Sequence, residues 1–465
     1  MFDLTIGSSV EPGGRVRYEL GRTNWEDRRI PDIRNPSATV QIPESRMVDV
    51  VILGDGYETA AQFESQLTGW LSGFAKLAVY DTFAGAFRIR ALYEPSDAPA
   101  STARTSFYRC RIDDEDDDQI SFDDSWWTAD DTDGQVFRDR LFVAVDSFAG
   151  VNLQRYPADL DLGDDNTAID NDTLSNVYRN LVVCMFVRTA SDSNVSGMAR
   201  PVPRPDPDDH RRVRVAFGAH RIHEFSHAFA LLSDEYIDKN RTQASTRVDH
   251  PSTSVLTLSN LCHTTTDGDI PWAHLGPWGR IRRQASGTDP DPLVGWLWVG
   301  GHGRYGNVWH SEYRCLMNGS HDNFRFTQVQ EDDPTANADG TYTEETGAGL
   351  RDGDRFCMWC QEIVTIRILE KTDQLHEPGD PSDLGDAAIE WWQRWEQGLR
   401  NEYWKLFDVP SQIADVEAMY AAMSPGARGE PLWQSDLYGV YDEAPDKPTN
   451  PVADIGDDEL FALLL

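Results

Sequence analysis

Five residues carry the most pointed chemistry in this chain: His223-Glu224-Phe225-Ser226-His227. Two histidines four apart lie on one face of a helix, one turn from each other, so both imidazoles can reach a single ion. The intervening Glu224 points beside the ion, where a carboxylate can take a proton from a metal-activated water. A catalytic zinc usually has three protein ligands and one open position. Asp234 and Glu235, in LLSDEY, are the carboxylates that follow the helix. Either could return to the metal once the helix ends and the chain turns, although composition alone favours an acidic pair in a loop. The plainer alternative is a surface helix with two solvated histidines, followed by an acidic pair in a loop. Phe225, Ala228, Phe229 and Leu232 favour a buried helix instead, because they give it an apolar side.

The segment HRIHEFSHAFALLS reads as a helix, and RVRVAF at 212–217 before it alternates like an edge strand. Upstream, VDVVIL is a continuous apolar run that suits a buried strand. Phe63, Leu67, Trp70, Leu71, Phe74 and Leu77 then recur at helical spacing. FRIRALYE near 87–94, LFVAVD at 141–146 and NLVVCMFV at 180–187 read as further strands, and CMWCQEIVTIRILEKTDQL at 357–375 as a closing helix. Strands interleaved with helices predict an α/β (α+β) domain with a mixed sheet. Residues 1–46 form a β-rich lead-in, 47–376 the main domain, and 377–465 a Trp-rich helical extension with an acidic tail. Residues 250–350 are rich in Gly, Pro and Trp, as in a lobe with little regular structure.

Composition excludes whole classes of partner. There are 78 acidic residues against 42 basic ones, a net charge of -36, which repels nucleic acid and anionic membranes alike. No window approaches the roughly 18 apolar residues of a membrane span, and the start, MFDLTIGSSV, shows no signal-peptide pattern. The expected partner is a protein or peptide substrate. The acidic runs 113–124 and 159–172 invite a calcium reading, but neither fits an EF-hand loop, and they read as solvated loops. Of the six cysteines, Cys184 lies in an apolar run and reads as a buried thiol. A second zinc on Cys315, Cys357 and Cys360 would want a fourth ligand that the sequence does not point to.

HEFSHAFALLSDEY resembles the active-site segment of the IgA-peptidase-like zinc metallopeptidases, a metzincin-related family. Three further blocks resemble that family in the same order: VDVVILGDGYETAAQF, SEYRCLMNGS and RFCMWCQEI, so the likeness spans about 48–370. It implies a metzincin-like fold, one catalytic zinc and peptide-bond hydrolysis. It implies His223 and His227 as ligands, a carboxylate as the third, taken as Asp234 with Glu235 in reserve, and Glu224 as general base. It also implies Met317 as an apolar floor beneath the metal and a disulfide from Cys315 to one member of the CxxC pair; an extracellular setting is compatible with the family, while the sequence itself leaves the location open. His302, Tyr305, His310, Tyr313 and Arg314 precede the CLM segment and are candidates to stabilise an oxyanion, with Tyr313 and His310 first. The competing expectation is a catalytically silent binding or structural protein on the same scaffold.

Overall fold

The computed structural model describes residues 2–114, 119–120, 132–155, 177–190, 197–206, 208–218, 222–235, 259–262, 270–275, 298–301, 304–312, 315–318, 355–375 and 395–414. The backbone divides into two compact units. Met1–Leu231 with Thr365–Trp391 make the first, and Leu232–Val364 with Trp392–Leu463 the second.

The first unit is built on one sheet. In chain order its early elements are β1 (Ile6–Val10), β2 (Val16–Leu20), α1 (Arg22–Asp27), the two-stranded pair β3 (Arg29–Asp32) and β4 (Asn35–Gln41), and β5 (Val48–Asp55). Then come α2 (Ala60–Lys76), α3 (Ala78–Thr82), β6 (Phe87–Tyr93), the short pair β7 (Ile112–Asp114) and β8 (Gln119–Ile120), and α4 (Thr132–Asp146). β9 (Val177–Val187), β10 (Met198–Pro203), β11 (Arg212–Gly218) and α5 (Ile222–Ala230) follow. The seven-stranded sheet has the order β1-β2-β6-β5-β9-β11-β10. Its centre, β6-β5-β9-β11, is parallel, and antiparallel strands close both ends. The fold class is therefore mixed α/β with a mixed sheet, and two strands of the lead-in belong to that sheet.

The central strands are continuous apolar runs because both their faces are covered. Every residue of β5, β6 and β9 is buried. Successive side chains point to opposite faces. Met185 joins Phe137, Leu141 and Val145 of α4 in one core. Phe186 turns the other way, 6.1 Å from the Phe63 ring of α2. α2 starts with a capping box, in which Thr59 and Gln62 satisfy each other's backbone N–H groups.

Two strand expectations are corrected. LFVAVD is the end of helix α4, not a strand. Phe137, Leu141 and Val145, spaced four apart, make one buried helical stripe, of which the apolar run at 141–146 holds only a part. RVRVAF is β11, but it is not the edge, because β10 pairs outside it. Among the described residues the edge is MARPVP, whose Pro201 and Pro203 suit an edge strand. The acidic runs read for calcium lie mostly outside the described residues.

In the second unit, β12 (Leu261–Cys262), β14 (Arg304–His310) and β13 (Trp298–Gly301) form a small sheet in that order. α6 (Met358–Lys371) begins in this unit and ends in the first. In the 377–465 segment, a π-helical turn at Trp395–Leu399 leads into α7 (Arg400–Leu406). Trp395 is buried there, its indole N–H donating to Glu362, and Arg400 also bonds Glu362.

Candidate metal centre

α5 has two opposite faces. Phe225 and Phe229 lie two positions from His223 and His227, or about 200° around a helix. The phenylalanine rings stack 5.4 Å apart and sit among Phe74, Tyr80 and Phe87. Phe225 and Phe229 are fully buried, which fixes the rotation of the helix and turns the histidines the other way. The Ser226 hydroxyl donates to the Ile222 carbonyl and lies 3.3 Å from the Tyr80 hydroxyl. At the C-terminal end, Arg214 bonds the Ala228 carbonyl and Arg367 the Ala230 carbonyl. These guanidinium groups satisfy carbonyls that the helix leaves open and complement its dipole. Leu231 then takes a left-handed φ of 60°, ending the helix where glycine is the usual residue.

On the face opposite the phenylalanines, His223 and His227 bring their Nε2 atoms to 2.9 Å of each other. A tetrahedral zinc about 2.0–2.1 Å from each would set them about 3.4 Å apart, a small ring rotation away. The pair therefore fits a shared ion. Glu224 is buried, with Oε1 3.9 Å from His223 Nε2. Its neighbour is Gly197, just before β10. A Cβ there would fall 2.3 Å from both Cγ and Oε1 of Glu224. The absence of a side chain at 197 is what lets the carboxylate lie where it does. Nothing in the sequence marks this glycine, beyond its place before an edge strand.

Asp234 is half-buried at the start of the second unit. Glu235, the reserve ligand, is fully buried in a different group, with Cys315, Cys357 and Cys360. Its Oε1 accepts from the Asn260 amide at 3.1 Å and from the Cys360 thiol at 3.1 Å. Its backbone N–H donates to the carbonyl of Met317, which is itself fully buried. All six cysteines are free thiols, so the disulfide from Cys315 to the CxxC pair is not formed. Three thiols and a carboxylate converge instead. Burial pushes Glu235, Cys315 and Cys360 well above their usual ranges. At Cys357 burial pulls the same way, but bonds from Cys315, Cys360 and Ser311 outweigh it and hold the thiol well below its usual value.

Among the described residues, then, two groups could hold a metal ion: His223 with Glu224 and His227, and the buried Glu235, Cys315, Cys357 and Cys360. Cys184 is a buried free thiol within β9. Of the oxyanion candidates, His310 is buried at the end of β14 and Tyr305 lies on that strand. His302, Tyr313 and Arg314 fall outside the described residues. No described helix is long and apolar enough to cross a membrane. Compared with protein-family models and with curated proteins, the chain matches none.

Proposed function

We propose that this protein is a zinc-dependent endopeptidase whose metal is held by His223 and His227, with Glu224 as the general base. The observation that carries the reading is the pairing of two imidazole Nε2 atoms at 2.9 Å with a buried carboxylate 3.9 Å from one of them. A zinc ion held there would supply Lewis acidity to the scissile carbonyl and to a water. Glu224 accepts that water's proton and delivers it to the leaving amine, so one carboxylate serves as base and then as acid. The absence of a side chain at 197 leaves room for that carboxylate, and the aromatic packing of Phe225 and Phe229 keeps the imidazoles turned to the opposite face. The substrate is a protein or peptide chain.

Glu224→Gln keeps the shape of the side chain and removes its basicity. The variant should retain zinc, measured by plasma mass spectrometry, and lose cleavage of a mixed peptide library by at least about 10²-fold. A variant that cleaves as well as the parent would refute the mechanism. A zinc-loaded parent that leaves the library uncut would favour a silent scaffold.

A further inference from the structure

We propose that Glu235, Cys315, Cys357 and Cys360 bind a structural zinc ion, a second metal site separate from the histidine pair. The four donors come from three segments: the stretch after α5, the turn at Leu316–Asn318, and the start of α6. Their ligand atoms all lie within 4.8 Å of one another. Oε1 of Glu235 is 3.1 Å from Cys360 Sγ and 3.7 Å from Cys357 Sγ. A tetrahedral zinc with oxygen at about 2.0–2.2 Å and sulfur at about 2.3 Å separates such atoms by about 3.5 Å, between the two observed values. The donor set is thus already spaced for one ion.

The surroundings suit thiolates. The N–H groups of Met317 and Cys357 donate to Cys315 Sγ at 3.4 and 3.2 Å. The Cys360 N–H and the Ser311 hydroxyl donate to Cys357 Sγ at 3.3 and 3.2 Å. Neutral sulfur is a weak acceptor, whereas a metal-bound thiolate is oriented and stabilised by donors of this kind. Glu235 Oε2 is buried and has no hydrogen-bond partner among the described residues, so the carboxylate retains acceptor capacity inside the cluster. All four residues are at most 1% exposed. Three thiols and a carboxylate packed together are costly to ionise, and a divalent cation offsets that cost. Loading the site exchanges thiol protons for the ion, and the protons leave to solvent. The site would also staple segments that are already joined by backbone bonds from Glu235 to Met317 and from Leu316 to Arg355.

The full chain is tested by metal analysis and cobalt substitution. The parent should hold two zinc ions per chain, His227→Ala one, and the double variant Cys357→Ala with Cys360→Ala one. Cobalt in the parent and in His227→Ala should give a thiolate-to-cobalt charge-transfer band in the near ultraviolet, which nitrogen and oxygen donors do not produce. If the cysteine variant fails to fold, X-ray absorption of the zinc-loaded His227→Ala protein still decides the matter, through zinc–sulfur scattering at about 2.3 Å. No sulfur band or scattering, iron in place of zinc, or a disulfide between Cys315 and either CxxC cysteine would overturn the proposal. A sulfur site found in a protein without peptidase activity would leave it standing while removing the proposed function.

Discussion

Gly197→Ala tests whether the Glu224 carboxylate works from the position in which it is found. The added methyl would fall 2.3 Å from Oε1 and Cγ and 2.4 Å from Cδ of Glu224. Ordinary contact between such atoms requires about 3.5 Å, so the carboxylate must retreat by roughly 1 Å. The atoms in the way belong to a flexible side chain, so the backbone need not move and the fold should hold. A displacement of about 1 Å in a reacting group can cost about 10²-fold, equivalent to roughly 2.7 kcal/mol in the barrier. The expected result is a kcat on a peptide substrate about 10²-fold lower, with zinc content unchanged and Tm shifted by no more than a few degrees. KM should change little if, as proposed, Glu224 carries a proton and does not hold the substrate. Unchanged kcat would refute the reasoning, and loss of zinc would show that the methyl acts on the histidines instead.

Two further outcomes concern stability. Asp49 is fully buried and accepts from Nε and Nη2 of Arg88, from Nη2 of Arg90 and from the Asn152 N–H. Asp49→Ala strands buried guanidinium charge and should cost about 3–5 kcal/mol in urea unfolding. Glu370 is also buried, which pushes its carboxyl up, but Arg179, Lys371 and Arg367 outweigh burial and lower it below the ordinary 4.5. A depressed carboxylate contributes stability that is present above the unfolded pKa and is lost as pH falls through the folded value. The stability gap between the parent and Glu370→Gln should therefore be widest near neutral pH and narrow as the pH drops below about 4.5. A gap independent of pH would rule out the ionic contribution.

The helix that carries the histidines is legible in the sequence because its signals reinforce one another: spacing four for the histidines, spacing four for Phe225 and Phe229, and apolar strands before it. The buried strands β5, β6 and β9 are legible for a similar reason, since a parallel strand covered on both faces must be apolar throughout. α4 looks like a strand because its polar first half, TDGQVFRDR, hides the stripe that its apolar second half completes. β11 looks like an edge because Arg212 and Arg214 suggest a solvent-facing side, yet Arg214 is 4% exposed and caps a helix carbonyl. Adjacent carboxylates in SDEY cannot be told apart by sequence. Only the approach of residues 315, 357 and 360, far along the chain, shows that Glu235 belongs with the thiols. A single glycine before a strand, at 197, carries no periodic signal at all.

The prolines of β10 bear on how copies of the chain meet. Pro201 and Pro203 are two residues apart, so the positions where their amide protons would stand point to the same side of the strand. A strand at the border of a sheet is otherwise a template for another chain, which would extend the ladder and seed fibrils. Neither proline can donate to such a ladder, and placing them toward β11 would weaken the sheet from within. The outward orientation, which leaves the pairing with β11 intact, gives an incoming strand no donor at 201 or 203. The molecule carries its own guard against edge-to-edge stacking, and Pro201→Ala with Pro203→Ala would remove it.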